Sequence, residues 1–281
     1  MRKSKTICTF ILIMLSVSFI ISCSNDKEES IPSSPPTINI ADSLAIVDYY
    51  HSMKGEEWLD SWDLRDPTTW NNVKMAYDES TGLKYVYGIH INRYYCVEGS
   101  RLPETIGNFK HLSELVIMEG PGIVGKLPES LYDCPLVYLY IQHSPTIEGP
   151  LTSGIGKLGT TLQHLCITDC PSFISELPAE LGKCNKARYI CLEWNGFYGK
   201  IPIELNQLII HPMLAHNHFT EIDWRFFTED IGYVPQASYN DFSGEIPEVV
   251  LRSTRWKEWG DYLGYPFNEG YGFSNYVAPD F

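Results

Sequence analysis

Positive charge is scarce in this chain. Its 281 residues carry 21 Lys and Arg against 35 Asp and Glu, a formal net charge of −14. Nucleic acid and anionic lipid both demand a cationic footprint, so no nucleic-acid partner is expected. Catalytic signatures are missing as well: there is no Gly-x-Ser-x-Gly, no phosphate loop, no His-Glu-x-x-His and no dinucleotide fingerprint. No cofactor is implied. A comfortable membrane span is also missing, because the apolar run from Ile7 to Ile21 falls short of the ~20 residues a helix needs to cross a bilayer. What remains is ample for a core. The chain is 44% hydrophobic and 20% charged, with 18 Tyr and 7 Trp, which excludes a disordered chain.

Arg2, Lys3 and Lys5 precede the apolar run, the pattern of a removable export signal over residues 1–22. It closes on Ile20-Ile21-Ser22-Cys23, which resembles the lipobox of bacterial lipoproteins. That resemblance implies acylation of Cys23 and attachment to a membrane through the lipid. The following Ser-Asn-Asp-Lys-Glu-Glu is similar to the export signal of surface lipoproteins in Bacteroides-type bacteria, implying a lipid anchor in the outer membrane and display at the cell surface. Removing the signal takes away three positive charges and no negative ones, leaving −17 (−14 minus 3). Residues 23–40 are rich in Ser and Pro without periodicity and read as a tether.

Beyond the tether the chain repeats itself. Equivalent positions fall at Ser100, Gly125, Gly149, Ser175, Gly199, Thr220 and Gly244, with steps of 25, 24, 26, 24, 21 and 24. An apolar triplet precedes each marker, from Val86/Ile89/Ile91 and Leu112/Leu115/Ile117 to Ile209/Pro212/Leu214 and a weak Gly232/Pro235/Ala237. The last two residues of each triplet alternate as in a strand. Asn195, Asn217, Asn240 or Cys170 follows three residues later, and an amide there can bond the turning backbone. Gly permits the turn, Pro opens a short helical turn, and an apolar residue three beyond it (Ile106, Leu131, Leu205, Val250) closes the coil.

These features, Asn-x-x-x-Gly-x-Ile-Pro above all, resemble the plant-type leucine-rich repeat. The resemblance implies an α/β repeat solenoid of about seven coils over residues 86–252, with a parallel β-sheet on the concave face. Residues 41–85 are similar to the family's helical N-terminal cap: Asp42 is a candidate helix N-cap, and Trp58, Trp62 and Trp70 would cover the first coil. Residues 253–281, aromatic and non-repetitive, fit a C-terminal cap.

On the concave strands, residues flanking the inward pair face outward. Reading them in columns brings Tyr138, Tyr140, His143, His164, Asp169, Tyr189, Glu193, Trp194, His211 and His216 of units three to six to one surface. Rings among carboxylates and imidazoles suit a protein hot spot or a sugar. Metal is not expected: His164 and His211 share a column but lie two strands apart, roughly 10 Å by strand spacing, too far for one ion. Cys166 and Cys191 share a column on adjacent strands, close enough for a disulfide in an exported protein and equally compatible with free thiols. The expected function is non-catalytic recognition of a protein or glycan ligand through the concave face. Two alternatives are an accessory subunit docking another envelope protein and a glycan-active enzyme using Asp169 and Glu193.

Overall fold

The computed structural model describes residues 37–263 and 272–276. The expected signal, Cys23 and residues 24–36 of the tether lie outside the described residues. Strands Leu83–Ile91, Glu114–Met118, Tyr138–Gln142, His164–Thr168 and Tyr189–Cys191 pair in parallel, in chain order. Their register is unbroken: Ile89, Leu115, Leu139, Leu165 and Ile190 are partners along one row, and Ile91, Ile117 and Ile141 with Ile167 along another. Both rows are 0–1% exposed. An apolar pair in every strand therefore makes a continuous inner wall, and each coil buries its neighbour's. Single bridges from Cys191 to Met213 and from Met213 to Gln236 carry the ladder further.

The turns follow from the repeated polar and special residues. Asn217 donates through Nδ2 to Leu192 O (2.8 Å) and Leu214 O (3.1 Å), and its Oδ1 accepts from Phe197 N–H (3.1 Å). Asn195 and Asn240 repeat the pattern one coil away on either side. A buried amide thus stitches adjacent coils where no strand continues. Cys170 occupies the same position as a buried thiol and donates to Thr168 O (3.4 Å) and Ile141 O (3.8 Å). Ser144 fills it one coil earlier, accepting from Gly120 N–H (3.2 Å), a substitution the sequence reading did not single out. Gly125, Gly199 and Gly244 have φ of 85°, 79° and 89°, the left-handed region that Gly enters without cost. Pro103, Pro128, Pro178 and Pro202 each cap a 3₁₀ turn, their extended ψ delivering the carbonyl to the residue three ahead. A second parallel sheet, Cys170–Glu176, Asn195–Ile201 and His218–Ile222, encloses a column of buried rings. Phe173 and Phe197 have centroids 5.7 Å apart, and Phe197 and Phe219 6.3 Å.

Three details differ from the sequence reading. The first helix runs Ile40–Ser52 and is capped by Asn39, whose Oδ1 accepts from Asp42 N–H. Asp42 instead turns inward, 1% exposed, and accepts from Val86 N–H at 2.6 Å, so the folded part begins before residue 41: Ile38 is already buried and bridges to Lys84. Strand Val73–Asp78 pairs antiparallel with Leu83–Ile91, a hairpin that the expected cap over 41–85 did not include. In the sixth unit, which is three residues short, Leu208 is buried in place of Ile209, which is 55% exposed, while Pro212 and Leu214 of the expected triplet are buried. Trp58, Trp62 and Trp70 are buried, with Trp58 and Trp62 centroids 4.9 Å apart. Trp256 is 3% exposed against Phe227.

Candidate functional site

The outward face of the parallel sheet carries the candidate residues in rows fixed by backbone register. Glu114, Tyr138, His164 and Tyr189 are successive partners, as are Val116, Tyr140, Cys166 and Cys191. Strand spacing of ~4.8 Å sets rings in one row at stacking distance. Tyr138 and His164 stack with centroids 4.9 Å apart and planes at 25°, and His164 and Tyr189 lie 6.1 Å apart. Tyr140 OH and His164 Nδ1 share a hydrogen bond of 3.1 Å. Burial, and secondarily Arg188, lowers the His164 pKa, so its ring is neutral at physiological pH and can take part in that bond.

The edge row holds a conformation that the sequence did not disclose. Glu119, His143, Asp169, Trp194, His216 and Tyr239 all have φ between 51° and 61°. Non-glycine residues enter this region at a cost of about 1 kcal/mol each. Here the turn lets the ladder run one residue past the strand: His143 N–H donates to Thr168 O (3.1 Å), Trp194 N–H to Ala215 O (3.2 Å) and His216 N–H to Ser238 O (3.1 Å). Side chains of this row consequently line up along the sheet edge. His143 Nδ1 lies 2.7 Å from Asp169 Oδ2, both side chains 59% exposed. Trp194 stacks on His216 at 3.6 Å and 12°, and His216 on Tyr239 at 4.1 Å and 14°. Trp194 remains 55% exposed. The only local signal for this row was its position just before the ladder Asn, which does not reveal φ.

His211 is set apart from the others. Its ring meets Tyr233, Trp259 and Tyr262 at 4.8, 4.5 and 5.1 Å, and its Nδ1 donates to Val234 O (2.8 Å). The structure therefore places His211 under the C-terminal segment, whereas the other nine candidates share the sheet face and its edge. Sequence reasoning missed the ion-pair group at the first strands, where Glu114 accepts from Lys74 (2.7 Å) and contacts His90 (3.1 Å). The reason is that Lys74 belongs to the antiparallel hairpin strand. Cys166 and Cys191 are buried free thiols in contact with each other, and that contact with burial pushes the Cys166 thiol up. Gln142 Nε2 donates to Cys166 Sγ at 3.0 Å. All six cysteines among the described residues are free.

Glu193 lies on the same face, half-buried, and its closest polar partner is Cys191 Sγ at 3.8 Å. Burial raises its pKa. The folded state holds this proton more tightly than the unfolded chain, so the contribution to stability exists at acid pH and is lost as pH rises through the folded-state value. Ionised Glu193 is a destabilising charge at neutral pH. Glu193→Gln is expected to raise Tm by about 1–2 °C at pH 7, discounted for solvent screening, with the gain disappearing towards pH 4. Thermal unfolding at both pH values checks this, and a fall in Tm at pH 7 would contradict it.

Among the described residues, no group of three or more His, Cys, Asp or Glu is placed to hold a metal ion, and no helix is long and apolar enough to cross a membrane. A cleft of about 190 Å³ lies beside the first helix, lined by Asn39, Asp42, Lys84, Tyr85 and His111 among others, and includes none of the candidate residues.

In-register parallel strands, a buried Asn ladder and Pro-capped turns define a leucine-rich repeat solenoid. No family model matches the sequence, and no curated protein matches it. Solved structures do. A plant peptide hormone receptor, RGFR1 in complex with RGF2, matches at 22% identity over 53% of this chain and 28% of its own, TM-score 0.38. A plant ice-binding protein matches at 21% identity over 77% of this chain and 61% of its own, TM-score 0.45. The LRR ectodomain of the receptor kinase SOBIR1 from Arabidopsis thaliana matches at 14% identity over 74% of this chain and 98% of its own, TM-score 0.42. The chain thus spans well under two thirds of the receptor RGFR1 and somewhat under two thirds of the ice-binding protein.

Proposed function

We propose that this chain is a non-catalytic lipoprotein of a bacterial outer membrane, held by acylated Cys23 at the cell surface. It would recognise a protein or glycan through the concave face of a seven-coil solenoid capped by residues 41–85 and 253–281. The observation that carries the reading is the sheet face itself. Nine outward side chains from consecutive coils, five of them aromatic or imidazole rings in stacks (Tyr138, Tyr140, His164, Trp194, His216), stand in fixed register on a rigid ladder. Preorganised rings lose little conformational freedom on binding, the condition for a recognition surface. Docking through the second sheet finds less support, since Ile174 and Tyr198 are its two exposed large apolar residues, too little apolar surface for an extended patch.

Two experiments test this. Labelled fatty acid is expected to enter the wild-type chain and not Cys23→Ala, and protease added to intact cells to remove the domain. Equal labelling of the two would remove the anchor from the account, and full protection would place the domain inside. For recognition, the chain is screened against arrays of extracellular proteins and of glycans. A captured ligand is expected to shield Tyr138, Tyr140 and Tyr189 from nitration, whereas shielding of Tyr198 alone would move the site to the second sheet.

A further inference from the structure

The reading of the sheet face as a recognition surface leaves its ligand class open, and the inference drawn here rests on that reading. Two observations narrow the class. The first concerns ring faces. A sugar stacks on an open aromatic face, but His216 is sandwiched between Trp194 at 3.6 Å and Tyr239 at 4.1 Å. Tyr138 is covered on one side by His164 at 4.9 Å. His216 thus has no free face and Trp194 has one, so the edge offers a single ring face rather than the row of open faces on which a sugar chain stacks. Since His216 occupies one face of Trp194, the other is turned towards the preceding coil, whose residue in the edge row is Asp169.

The second observation concerns charge. Four carboxylates stand on this face and its edge, and the cations are not distributed evenly among them. Lys74 and His90 serve Glu114, and Arg93 lies 3.7 Å from Glu119, at the first coils. Arg188 stands at the opposite rim, beside His164. Among the described residues, Asp169 is paired with His143 alone, and Glu193 has no cationic partner, only the Cys191 thiol. Asp169 N–H donates to Glu193 O at 3.3 Å, so these two acidic residues are neighbours on adjacent coils, and His143 is the one basic side chain paired with either among the described residues, in a chain whose formal charge is already −14.

We propose that the sheet face docks an extended basic peptide segment, with a Lys or Arg side chain seated at the Asp169–Glu193–Trp194 corner. A cation there meets the open indole face and two carboxylates at once, combining cation–π attraction with charge complementarity. The backbone of the segment lies across the edges of Tyr140, His164 and Tyr189. The half-buried Glu193 carboxylate, unfavourable in the free protein, gains its counter-charge on binding.

The test uses the detergent-solubilised full chain carrying ¹⁵N-labelled Trp. Of the seven Trp indole signals, that of Trp194 is the one absent from Trp194→Phe. The probe is acetyl-Gly-Gly-Arg-Gly-Gly-amide, compared with the same peptide carrying Glu or Ala at its centre and with an uncharged hexasaccharide. The Arg peptide is expected to move the Trp194 signal saturably. Glu193→Gln and Asp169→Asn should each weaken that binding by about 5-fold or more, as should salt at about 0.5 M. Equal shifts from the Arg and Ala peptides, or Arg binding indifferent to both substitutions, would overturn the proposal. A signal moved by the Glu peptide or the hexasaccharide instead would overturn it too, while leaving the recognition face in place. If no probe moves Trp194 and an array-captured ligand leaves Tyr140 and Tyr189 open to nitration, the recognition face itself fails.

Discussion

Asn217→Ala is expected to destabilise the domain by about 2 kcal/mol. The side chain is 3% exposed and makes three good hydrogen bonds, accepting from Phe197 N–H and donating to Leu192 O and Leu214 O. Truncation leaves the Phe197 N–H buried without its acceptor, costing about 1–3 kcal/mol, while Leu192 O and Leu214 O each lose one donor but keep Asn195 Nδ2 and Asn240 Nδ2. Because the groups belong to two adjacent coils, the loss falls on the interface between repeats, where a solenoid holds its cooperativity. Denaturant unfolding followed by far-UV circular dichroism measures it. The midpoint should fall, and the transition should broaden or split as the coils on either side uncouple. Lys186→Ala, at an exposed site on a neighbouring coil, serves as the comparison and should shift the midpoint little. A loss below about 1 kcal/mol for Asn217→Ala would mean that water replaces the ladder amide and that the stack is held by apolar packing alone.

That ladder was legible in the sequence because its three Asn residues recur at fixed distance from apolar pairs and from Gly and Pro. A strict spacing has few structural solutions. The outward rows were legible for the same reason: a strand has a side-chain period of two, so placing Leu139 and Ile141 inward forces Tyr138 and Tyr140 outward, as the register shows. Three things were not legible. Left-handed φ at His143, Asp169, Trp194 and His216 comes from the path of the whole coil, and none of these residue types demands it. Strand Val73–Asp78, which pairs antiparallel with Leu83–Ile91, lies outside the repeat, where spacing carries no information. The cover on His211 involves Trp259 and Tyr262, about fifty residues downstream, and no local pattern links them. Asp42 shows a further limit: Asp is a good N-cap in general, yet Asn39 was available three residues earlier and Asp42 was drawn inward by the buried Val86 amide.

The central claim, that the sheet face is the recognition surface, is tested most directly by the double variant Tyr140→Ala/Trp194→Ala. Both side chains project from the face, so their loss should leave the inner apolar rows intact. Trp194 is 55% exposed, and Tyr140 is tied to the face by its bond to His164. Removing two central rings from a preorganised surface costs about 1–2 kcal/mol each or more. Affinity for a ligand captured by the wild-type chain should therefore fall about 100-fold, equivalent to about 3 kcal/mol, with the circular dichroism spectrum unchanged. A correctly folded double variant that binds this ligand as tightly as the wild type would contradict the account and place the site elsewhere on the molecule.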